Sequence, residues 1–472
     1  MLTLAEAARA TLGRATLPGT TFASVFSDSR VVDRGGLFVA LRGERFDGHD
    51  FVRQVLDAGA AAALVAADSA VAREGADLPL VIVEDTREGL RHLAAAWRRR
   101  FAVPVIAVTG SNGKTTVKEM VSAILAAAFG TEGRLATAGN LNNDIGLPLT
   151  VLRLREGHRA AAIELGMNHP GETAVLAAVA QPTVALINNA QREHQEFMKS
   201  VAAVAEEHGA LIAALPSDGI AVINADDAFA GYWRDLAAGR PTRSFGLEAP
   251  ADVTCGWTPG KLGSRLEIRA GGETAPVELS ILGVHNVRNA LAAAAAAMAA
   301  GLPLTAVVRG LAAFRPAKGR LQLKEGAGGA TVIDDTYNAN PDSVRAAIDV
   351  LAARPGRRIL VLGDMGEVGE QAGQFHDEVG GYAKSMGIER LLTLGEASRA
   401  ASGNFGPGAR HFERAEDLIA VLAPDLDGRT TTLVKGSRFM RMERVVDAIC
   451  PPPPKNGTEA VPAGAAEKKH AA

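Results

Sequence analysis

The chain has 472 residues, of which 47 % are hydrophobic and 22 % are charged, and its formal net charge is −3. These values are typical of an ordinary globular protein and exclude the strongly basic surface that holds nucleic acid. One hydrophobic core rarely organises so long a chain, so we expect several domains. No uncharged apolar stretch is long enough to span a membrane, and the N-terminus lacks the pattern of a signal peptide.

The cysteine content indicates a reducing compartment. Cys255 and Cys450 lie far apart in the sequence, and we expect two free thiols rather than a disulfide. Asn456 begins an Asn-Gly-Thr triplet, which a chain in the cytoplasm would not carry as a glycosylation site. We therefore expect a cytoplasmic protein, and a monomer.

Short strands and helices alternate over residues 1–101, and we expect these to form an N-terminal α/β domain. The second unit, 102–315, contains the apolar runs PVIAVTG, RAAAIELG, PTVALINNA and GIAVINADD. Such runs, without polar alternation, are typical of parallel strands covered on both faces. The turn-rich stretch 252–281 predicts a small β insertion, and VRNALAAAAAAMAAG predicts a helix that ends at Gly301.

A third unit, 316–450, offers four more strands, GATVIDD, RRILVLGD, RLLTLGE and TTLVKGS, separated by helical stretches. This alternation predicts a Rossmann-like, doubly wound domain. The Pro- and Ala-rich segment 451–472 is expected to be a disordered tail. The predicted fold class is therefore α/β, with an N-terminal domain, a central P-loop domain bearing a β insertion, and a C-terminal Rossmann-like domain.

The stretch VIAVTGSNGKTTVKEM joins a buried strand to a helix through a glycine-rich loop. Gly110 and Gly113 allow the backbone to turn tightly and to aim N–H groups at an anion. Lys114 suits the β- and γ-phosphate oxygens of a nucleotide, and the Thr115 hydroxyl can bind Mg²⁺. A glycine-rich turn without a ligand is the alternative, but the Lys-Thr-Thr sequence that follows favours nucleoside triphosphate binding.

Polar residues also follow other predicted strands. Glu164 ends one strand of the central unit, and His194 follows the next. Each alone could be an ordinary strand-end or loop residue. Because ligands of open α/β sheets lie beyond the carboxyl ends of the strands, both together suit a divalent cation facing the P-loop. The loops DDTYNANP, LGDMGEVGE and KGSR of the third unit predict a second wall of the same cleft.

Several motifs, taken in order, resemble the ATP-dependent Mur ligases of bacterial cell-wall synthesis: TGSNGKTT, NLNNDIGLPLT, ELGMN, NNA followed by histidine, LGVHNVRNALAA and PAKGR. The resemblance extends over about residues 25–445. SDSRVVDRGGLFVALRGERFDGHDF resembles the uridine-nucleotide-binding domain of two members, which add the third stem amino acid or a D-alanyl-D-alanine dipeptide. DDTYNANPDS and VLGDMGEVGE are similar to the dipeptide-adding member, and the D-N-P-R motif of the diaminopimelate-adding member is absent.

This resemblance implies an ATP-dependent ligase that uses two Mg²⁺ ions. Its substrates would be UDP-N-acetylmuramoyl-tripeptide and D-alanyl-D-alanine. The terminal carboxylate of the tripeptide would take the γ-phosphate, and the dipeptide amine would then displace phosphate from the acyl phosphate. The expected products are ADP, phosphate and the UDP-muramoyl-pentapeptide of peptidoglycan synthesis.

The resemblance also implies roles for individual residues. Those expected to be catalytic are Lys114, Glu164, His194 and Arg320. Those expected at ATP are Thr109, Gly110, Ser111, Asn112, Gly113, Lys114, Thr115, Thr116, His285, Asn286, Asn289, Arg320, Asp335, Asn338 and Asn340. Those expected at the UDP-linked substrate are Ser29, Arg30, Arg45, Phe46, Asp47, His49, Asn140, Asn142 and Asn143. The expected metal ligands are Thr115, Glu164 and His194, with His208 as a further candidate. Those expected on the dipeptide side of the cleft are Tyr337, Asn340, Asp364 and Glu367, with Lys435 and Arg438 as further residues facing it.

One position departs from the family pattern. His208 stands where family members commonly carry a lysine whose carbamate binds the second Mg²⁺. An imidazole cannot form a carbamate, so we expect activity without added bicarbonate, with Glu206 or Glu207 supplying the missing negative charge. A surface-helix position is an equally good interpretation of His208.

Two alternative functions remain at this point. A folylpolyglutamate-synthetase-like ligase would share the P-loop and the core, but it would lack the N-terminal unit. A phosphate-binding regulator without catalysis would explain His208, but not the presence of Lys114, Glu164, His194 and Arg320. The joints near Pro104 and Arg315–Pro316 further predict hinge closure, which would bring Arg320 and Asp335 to the nucleotide.

Overall fold

Three α/β units, each built on its own main sheet, make up the computed structural model, which describes residues 1–193 and 196–450. The predicted fold class is confirmed. His194 and the predicted tail 451–472 lie outside the described residues. The proposed domain boundaries stay predictions.

The N-terminal unit has a five-stranded sheet in the order β2-β7-β6-β5-β4 and a separate β1-β3 pair. Its elements are β1 (Leu2–Thr3), α1 (Leu4–Ala10), β2 (Arg14–Ala15), β3 (Thr21–Phe22), β4 (Val25–Phe26), β5 (Leu37–Val39), α2 (Val52–Asp57), β6 (Ala62–Ala66), α3 (Ala70–Glu74), β7 (Leu80–Val83) and α4 (Thr86–Arg98). Strands β5, β6 and β7 are wholly buried, as their unbroken apolar sequence requires.

The central unit contains a nine-stranded sheet in the order β16-β15-β14-β13-β12-β11-β8-β10-β9. Its elements are β8 (Val105–Thr109), α5 (Lys114–Phe129), β9 (Arg134–Ala136), α6 (Gly146–Val151), β10 (Ala160–Glu164), α7 (Glu172–Ala180), β11 (Val184–Ile187), α8 (Val201–Ala213), β12 (Ile220–Asn224), α9 (Ala230–Leu236), β13 (Thr242–Phe245), β14 (Val253–Pro259), β15 (Ser264–Ala270), β16 (Glu273–Leu279), α10 (Val284–Ala299) and α11 (Leu304–Ala313). Strands β8 to β13 are parallel where they pair, whereas β14, β15 and β16 form the predicted insertion as an antiparallel ribbon.

The C-terminal unit has a six-stranded sheet in the order β17-β18-β22-β19-β20-β21. Its elements are β17 (Gln322–Glu325), β18 (Thr331–Asp335), α12 (Pro341–Ala352), β19 (Arg357–Gly363), α13 (Ala372–Ser385), β20 (Arg390–Leu394), α14 (Arg399–Phe405), β21 (Ala409–Phe412), α15 (Ala415–Leu422), β22 (Thr430–Lys435) and α16 (Glu443–Ile449). Only β17 runs antiparallel to its neighbour. The remaining pairs are parallel, as expected of a doubly wound sheet.

Buried apolar side chains connect the units. One core joins α1 and α4 of the N-terminal unit to α6, α7 and the central sheet, where Trp97 also donates its indole N–H to the Leu154 carbonyl at 3.1 Å. Another core continues from α5, α10 and α11 into the sheet of the C-terminal unit. Non-directional apolar burial thus holds the outer units against the central one.

Strand order determines which loops meet. β8 lies between β10 and β11, so the P-loop, the end of β10 at Glu164 and the loop after β11 emerge at one sheet edge. In the C-terminal unit, β22 lies between β18 and β19 in the same way, with Asp335 beside Lys435. Two polar edges are therefore available to form one site.

Cys255 is buried and Cys450 is partly buried, and both are free thiols. Burial raises the pKa of the Cys255 thiol to about 11, so this thiol stays protonated at neutral pH. Within 1–193 and 196–450, the helices lack the length and hydrophobicity that crossing a bilayer would require.

Candidate active site

Two adjoining clefts lie at the two polar edges. The larger has a volume of about 750 Å³ and is lined by the P-loop, Glu164, the loop 140–144 and segments of the C-terminal unit. The smaller has a volume of about 290 Å³ and lies on the other side of Gly113. Asn112, Gly113, Arg320 and Lys435 line both clefts. One elongated ligand could therefore occupy both.

The P-loop is fixed by backbone geometry and by amide side chains. Gly113 has φ of +83°, and a Cβ there would lie 2.4 Å from Asn289 Oδ1, so only glycine fits. Asn188 Nδ2 donates to the Asn112 carbonyl at 2.7 Å and to Asn289 Oδ1 at 2.9 Å. These bonds hold the loop before any ligand arrives.

The Lys114 ammonium is surrounded by oxygen atoms. Its Nζ donates to the carbonyl of Gly110 at 2.6 Å, to that of Ser111 at 3.2 Å and to Glu193 Oε2 at 3.0 Å. An ammonium has three N–H groups, so these acceptors match its donors in number. A phosphate that binds Lys114 must replace at least one of them.

Thr115 and Glu164 form the other wall of the loop. Thr115 Oγ1 donates to Glu164 Oε1 at 3.1 Å, and Asn142 Nδ2 donates to the same oxygen at 2.8 Å. Arg320 Nη2, from the start of the C-terminal unit, donates to Thr115 Oγ1 at 3.1 Å. Residues of two units thus converge on one hydroxyl.

This corner has the chemistry of a magnesium site. Glu164 is buried, and its Oε2 is shielded from solvent and has no hydrogen-bond partner among residues 1–193 and 196–450. Mg²⁺ prefers oxygen donors and is held by few protein ligands together with substrate phosphates, which the Thr115 hydroxyl and this unsatisfied oxygen suit. Among residues 1–193 and 196–450, no three His, Cys, Asp or Glu side chains group closely enough to hold a metal alone.

His208 is fully buried beneath the P-loop. Its Nδ1 lies 3.0 Å from Thr109 Oγ1 and its Nε2 lies 3.0 Å from Glu193 Oε1. Both ring nitrogens therefore have partners within the chain, and the surface-helix interpretation is wrong.

The acidic residues beside His208 on α8 lie elsewhere, so the expectation that one of them supplies negative charge next to it is also wrong. Glu207 accepts the N–H groups of Gly171 and Thr173, both at 2.7 Å, and so caps α7. Glu206 is exposed. Glu193 is the carboxylate that contacts His208.

The smaller cleft contains His285, Asn286 and Asn289, which are expected at ATP from the sequence. His285 Nε2 accepts from Asn286 Nδ2 at 3.0 Å, and Asn289 Nδ2 donates to Asn286 Oδ1 at 2.9 Å. Burial lowers the pKa of His285 to about 4, so the ring is neutral at physiological pH. A neutral, hydrogen-bonded wall of this kind suits an uncharged heterocycle.

The C-terminal unit contributes Arg320, whose guanidinium lies 4.1 Å from the centre of the Tyr337 ring. Asn340 caps α12 and donates from Nδ2 to Asn112 Oδ1 at 2.9 Å, across the interface. Asp335 accepts from Lys435 Nζ at 2.6 Å and from the Leu321 N–H at 3.2 Å. Arg320 and Asn340 therefore contact residues of the P-loop helix and loop, and Asp335 lines the smaller cleft beside them.

The remaining predictions for this unit divide into two groups. Asn338, which was expected at ATP, and Glu367 and Arg438, which were expected to face the cleft, all line the larger cleft. Asp364 does not, because its carboxylate accepts the N–H groups of Ala397 at 3.3 Å and Ser398 at 2.8 Å. Asp364 therefore positions the loop before α14 instead of facing a dipeptide.

The residues predicted for the UDP-linked substrate also divide. Those that line the larger cleft are Asn140, Asn142 and Asn143. Those of the N-terminal unit that line neither cleft are Ser29, Arg30, Arg45, Phe46, Asp47 and His49. His49 is buried, accepts the Ala66 N–H at 2.9 Å and contacts Asp47, so it ties its loop to β6. Phe46 is 73 % exposed, on a loop beside these residues.

Comparison with known proteins bears on this arrangement. The Mur ligase middle domain matches residues 108–297, the glutamate ligase domain of Mur ligases matches 319–438, and the Mur ligase family catalytic domain matches 21–98. The UDP-N-acetylmuramoyl-tripeptide–D-alanyl-D-alanine ligase of Escherichia coli is 41 % identical over 445 residues, which are 93 % of this chain and 95 % of that protein. The chain belongs to the Mur ligase family.

Other Mur ligases agree with this assignment. The Haemophilus influenzae ligase of the same name is 37 % identical over 430 residues, which are 90 % of this chain and 92 % of that protein. A crystal structure of MurF from Acinetobacter baumannii matches with a TM-score of 0.88 at 33 % identity, covering 94 % of this chain and 98 % of that one. MurF from Thermotoga maritima in complex with ADP matches with a TM-score of 0.79 at 27 % identity, covering 91 % and 97 %. The resemblance inferred from the motifs is confirmed.

Sequence reasoning missed one feature of this Mur ligase, an ion-pair clamp between the central and C-terminal units. Arg192 Nη2 lies 2.6 Å from Asp342 Oδ1, and its Nη1 lies 2.8 Å from Glu378 Oε2. The Arg192 N–H also donates to Asp342 Oδ2 at 3.0 Å, and Arg345 lies 2.9 Å from Glu378. The only signal in the sequence is a charged pair, Arg-Glu, directly before His194.

Replacing Arg192 with glutamine is expected to loosen the contact between the central and C-terminal units. Losing two half-buried ion pairs should cost about 1–2 kcal/mol, which would shift the balance toward open forms about tenfold. Small-angle scattering of the ligand-free protein should then give a larger radius of gyration than the wild type. Arg358→Gln breaks an ion pair with Glu389 inside the C-terminal unit and serves as the control. Equal radii for R192Q and R358Q would contradict the clamp.

Proposed function

We propose that this Mur ligase joins D-alanyl-D-alanine to UDP-N-acetylmuramoyl-tripeptide at the expense of ATP, in the cytoplasm and as a monomer. The observation that carries the proposal is the convergence of Lys114, Thr115, Glu164 and Arg320 on one cleft formed by two units. That set suits a triphosphate whose terminal phosphoryl group is transferred inside the cleft. The shared name of relatives that match nearly the whole chain supports the choice of substrates.

The nucleotide would extend across both clefts. The adenine suits the neutral wall at His285, Asn286 and Asn289, and the phosphates suit the N-terminus of α5. Lys114 would then hold the β- and γ-phosphates. The acceptor acid and the dipeptide would share the larger cleft beyond the P-loop.

The chemistry follows from the low reactivity of a carboxylate toward an amine. A terminal oxygen of the tripeptide carboxylate attacks the γ-phosphorus, the bond to the β-phosphate oxygen breaks, and ADP leaves. The dipeptide nitrogen then attacks the acyl carbon, loses a proton and releases phosphate. Lys114 and Arg320 would neutralise the charge that develops on the phosphoryl oxygens.

Thr115 and Glu164 would hold Mg²⁺, with His194 as the proposed further ligand. The ion would supply charge neutralisation at the phosphates. Asn142 would orient Glu164 toward it through the 2.8 Å bond. The proposal for two ions and the role of His194 rest on the family resemblance.

The loop 140–143 is proposed to contact the UDP-linked substrate inside the cleft. Asn140, Asn142 and Asn143 line the cleft there, and Asn143 Oδ1 also accepts the Gly146 N–H at the start of α6, at 2.8 Å. Ser29, Arg30, Arg45, Phe46, Asp47 and His49 are proposed to hold the uridine diphosphate outside the clefts. Arg30, Arg45 and Phe46 are exposed, which would leave room for a nucleotide that spans from the N-terminal unit to the P-loop, whereas His49 is buried.

Release of phosphate from ATP tests this function against the two alternatives. We expect release only when UDP-N-acetylmuramoyl-tripeptide and D-alanyl-D-alanine are both present. Release with a folate and glutamate would identify the folylpolyglutamate-synthetase-like ligase, and nucleotide binding without release would identify the regulator. A panel of muramoyl peptides and amine acceptors then defines which third stem residue is accepted.

A further inference from the structure

We infer that Glu193 is a positioning residue: its carboxylate pairs with the ammonium of Lys114, which binds phosphate, until a nucleotide phosphate displaces that carboxylate. This rests on the proposed function, because it concerns how the same site receives ATP. The contact is between Glu193 Oε2 and Lys114 Nζ at 3.0 Å. The Glu193 side chain is only 5 % exposed and that of Lys114 is 16 % exposed.

Three contacts in series fix this carboxylate. Thr109 Oγ1, at the end of β8, lies within hydrogen-bond distance of His208 Nδ1, and His208 Nε2 lies at the same distance from Glu193 Oε1. The other carboxylate oxygen, Glu193 Oε2, accepts a hydrogen bond from Lys114. His208 is fully buried, so water cannot compete for its nitrogens. Glu193 is therefore aimed at Lys114 by the core of the central unit.

The arrangement has a direct electrostatic consequence for the nucleotide. Lys114 already donates to two P-loop carbonyls and to Glu193, so a β- or γ-phosphate gains this ammonium only by replacing an acceptor. The carboxylate is the acceptor that a phosphate resembles in charge, and two anions next to one cation repel each other. Glu193 must therefore yield when the phosphate arrives.

The neighbouring residue connects this exchange to domain closure. Arg192, adjacent to Glu193 in the chain, is clamped to Asp342 and Glu378 of the C-terminal unit. A shift of the Glu193 backbone would strain that clamp, so release of Lys114 and movement of the C-terminal unit are expected to be linked.

Glu193→Gln tests the inference because it keeps the shape of the side chain and removes the competing charge. Binding of ADP, measured by calorimetry in EDTA without divalent metal, is expected to become about fivefold tighter, since the β-phosphate no longer competes with a carboxylate. Structural damage would weaken binding, so the direction of the change separates the two explanations. Glu206→Gln, on the exposed face of α8, is the matched control and should bind ADP as the wild type does.

A second variant tests the part played by His208. His208→Asn removes the hold on Glu193 Oε1, so ADP should also bind more tightly, but less so than in E193Q. The double variant E193Q/H208N should bind ADP with the same affinity as E193Q, because His208 acts only through Glu193. Should H208N not fold, E193D, which shortens the reach to Lys114, is measured as a single variant and should also bind metal-free ADP more tightly than the wild type does.

The outcomes separate this inference from the proposed function. E193Q with wild-type or weaker affinity for metal-free ADP would overturn the inference and leave the ligase intact. Absence of nucleotide binding by the wild-type protein would instead overturn the proposed function.

Discussion

Lys114→Met is expected to lower kcat for phosphate release by at least about a thousandfold, because the transferred phosphoryl group loses the cation held closest to it. The methionine keeps most of the length and the apolar stem of lysine and removes the ammonium, with its charge and its three N–H donors. It also leaves Glu193, aimed at this position by His208, without the ammonium that it faces at 3.0 Å. The measurement is phosphate release at saturating concentrations of all three substrates.

Lys261→Met provides the matched control for that substitution. Lys261 is exposed in the turn between β14 and β15, and the contact it makes there, to Arg354, uses its backbone carbonyl. K261M should keep wild-type activity, and both variants should keep the wild-type melting temperature within a few degrees. Undiminished ligation by folded K114M would contradict the role of Lys114 and with it the whole account of the cleft.

The sequence predicted the buried strands of the fold well, for a physical reason. β8, β10, β11, β12, β18, β19, β20 and β22 are parallel strands covered on both faces, and continuous Val, Ile, Leu and Ala runs mark such strands clearly. In the central and C-terminal units the strands it missed are β9, β13, β17 and β21, which are short and partly exposed. The sequences of these strands show no periodicity that distinguishes them from loops, because these segments form strands only by pairing with a neighbouring strand.

The position of a site residue was predictable where that residue directly follows a strand and so lies at the sheet edge. Glu164 and the P-loop follow directly from strand ends, and strand order then brings them together. Arg192 and Asp342 are 150 positions apart in the sequence, and Lys114 and Glu193 are 79 apart. No local sequence pattern therefore predicts either contact. Asp364 illustrates the converse, because it follows a strand in a glycine-bearing loop yet turns toward α14.

His208 shows what one difference from the family pattern can and cannot predict about the contacts of a residue. Its position on α8 indicated a difference from the family pattern, but not which carboxylate would face it. The interpretation through Glu206 or Glu207 used helix neighbours, whereas the contact is made by Glu193 on the loop before the helix. A loop residue cannot be aligned with a helix face from sequence alone.

Arg320→Met is expected to lower kcat/KM for ATP about a hundredfold, while affinity for metal-free ADP changes little. Arg320 reaches Thr115 from another unit at 3.1 Å and is held over the Tyr337 ring, so its charge lies where the γ-phosphate would be transferred. The neutral wall at His285 and the P-loop backbone lie in the central unit, and the variant leaves both intact. R320M should therefore lower kcat/KM for ATP without weakening the binding of ADP.

Two further variants make that test specific to geometry. Arg320→Lys keeps the charge but not the planar donors or the stacking on Tyr337, so it should recover only part of the lost kcat/KM. Arg315→Met removes an exposed arginine from the same joint, where Nη1 bonds to the carbonyls of Ala312 at 3.1 Å and Phe314 at 2.7 Å, and it should behave as the wild type. If R315M and R320M lose activity equally, the joint itself matters and the contact with Thr115 does not. If R320M alone loses turnover while keeping ADP, the C-terminal unit completes the reaction site through this one guanidinium.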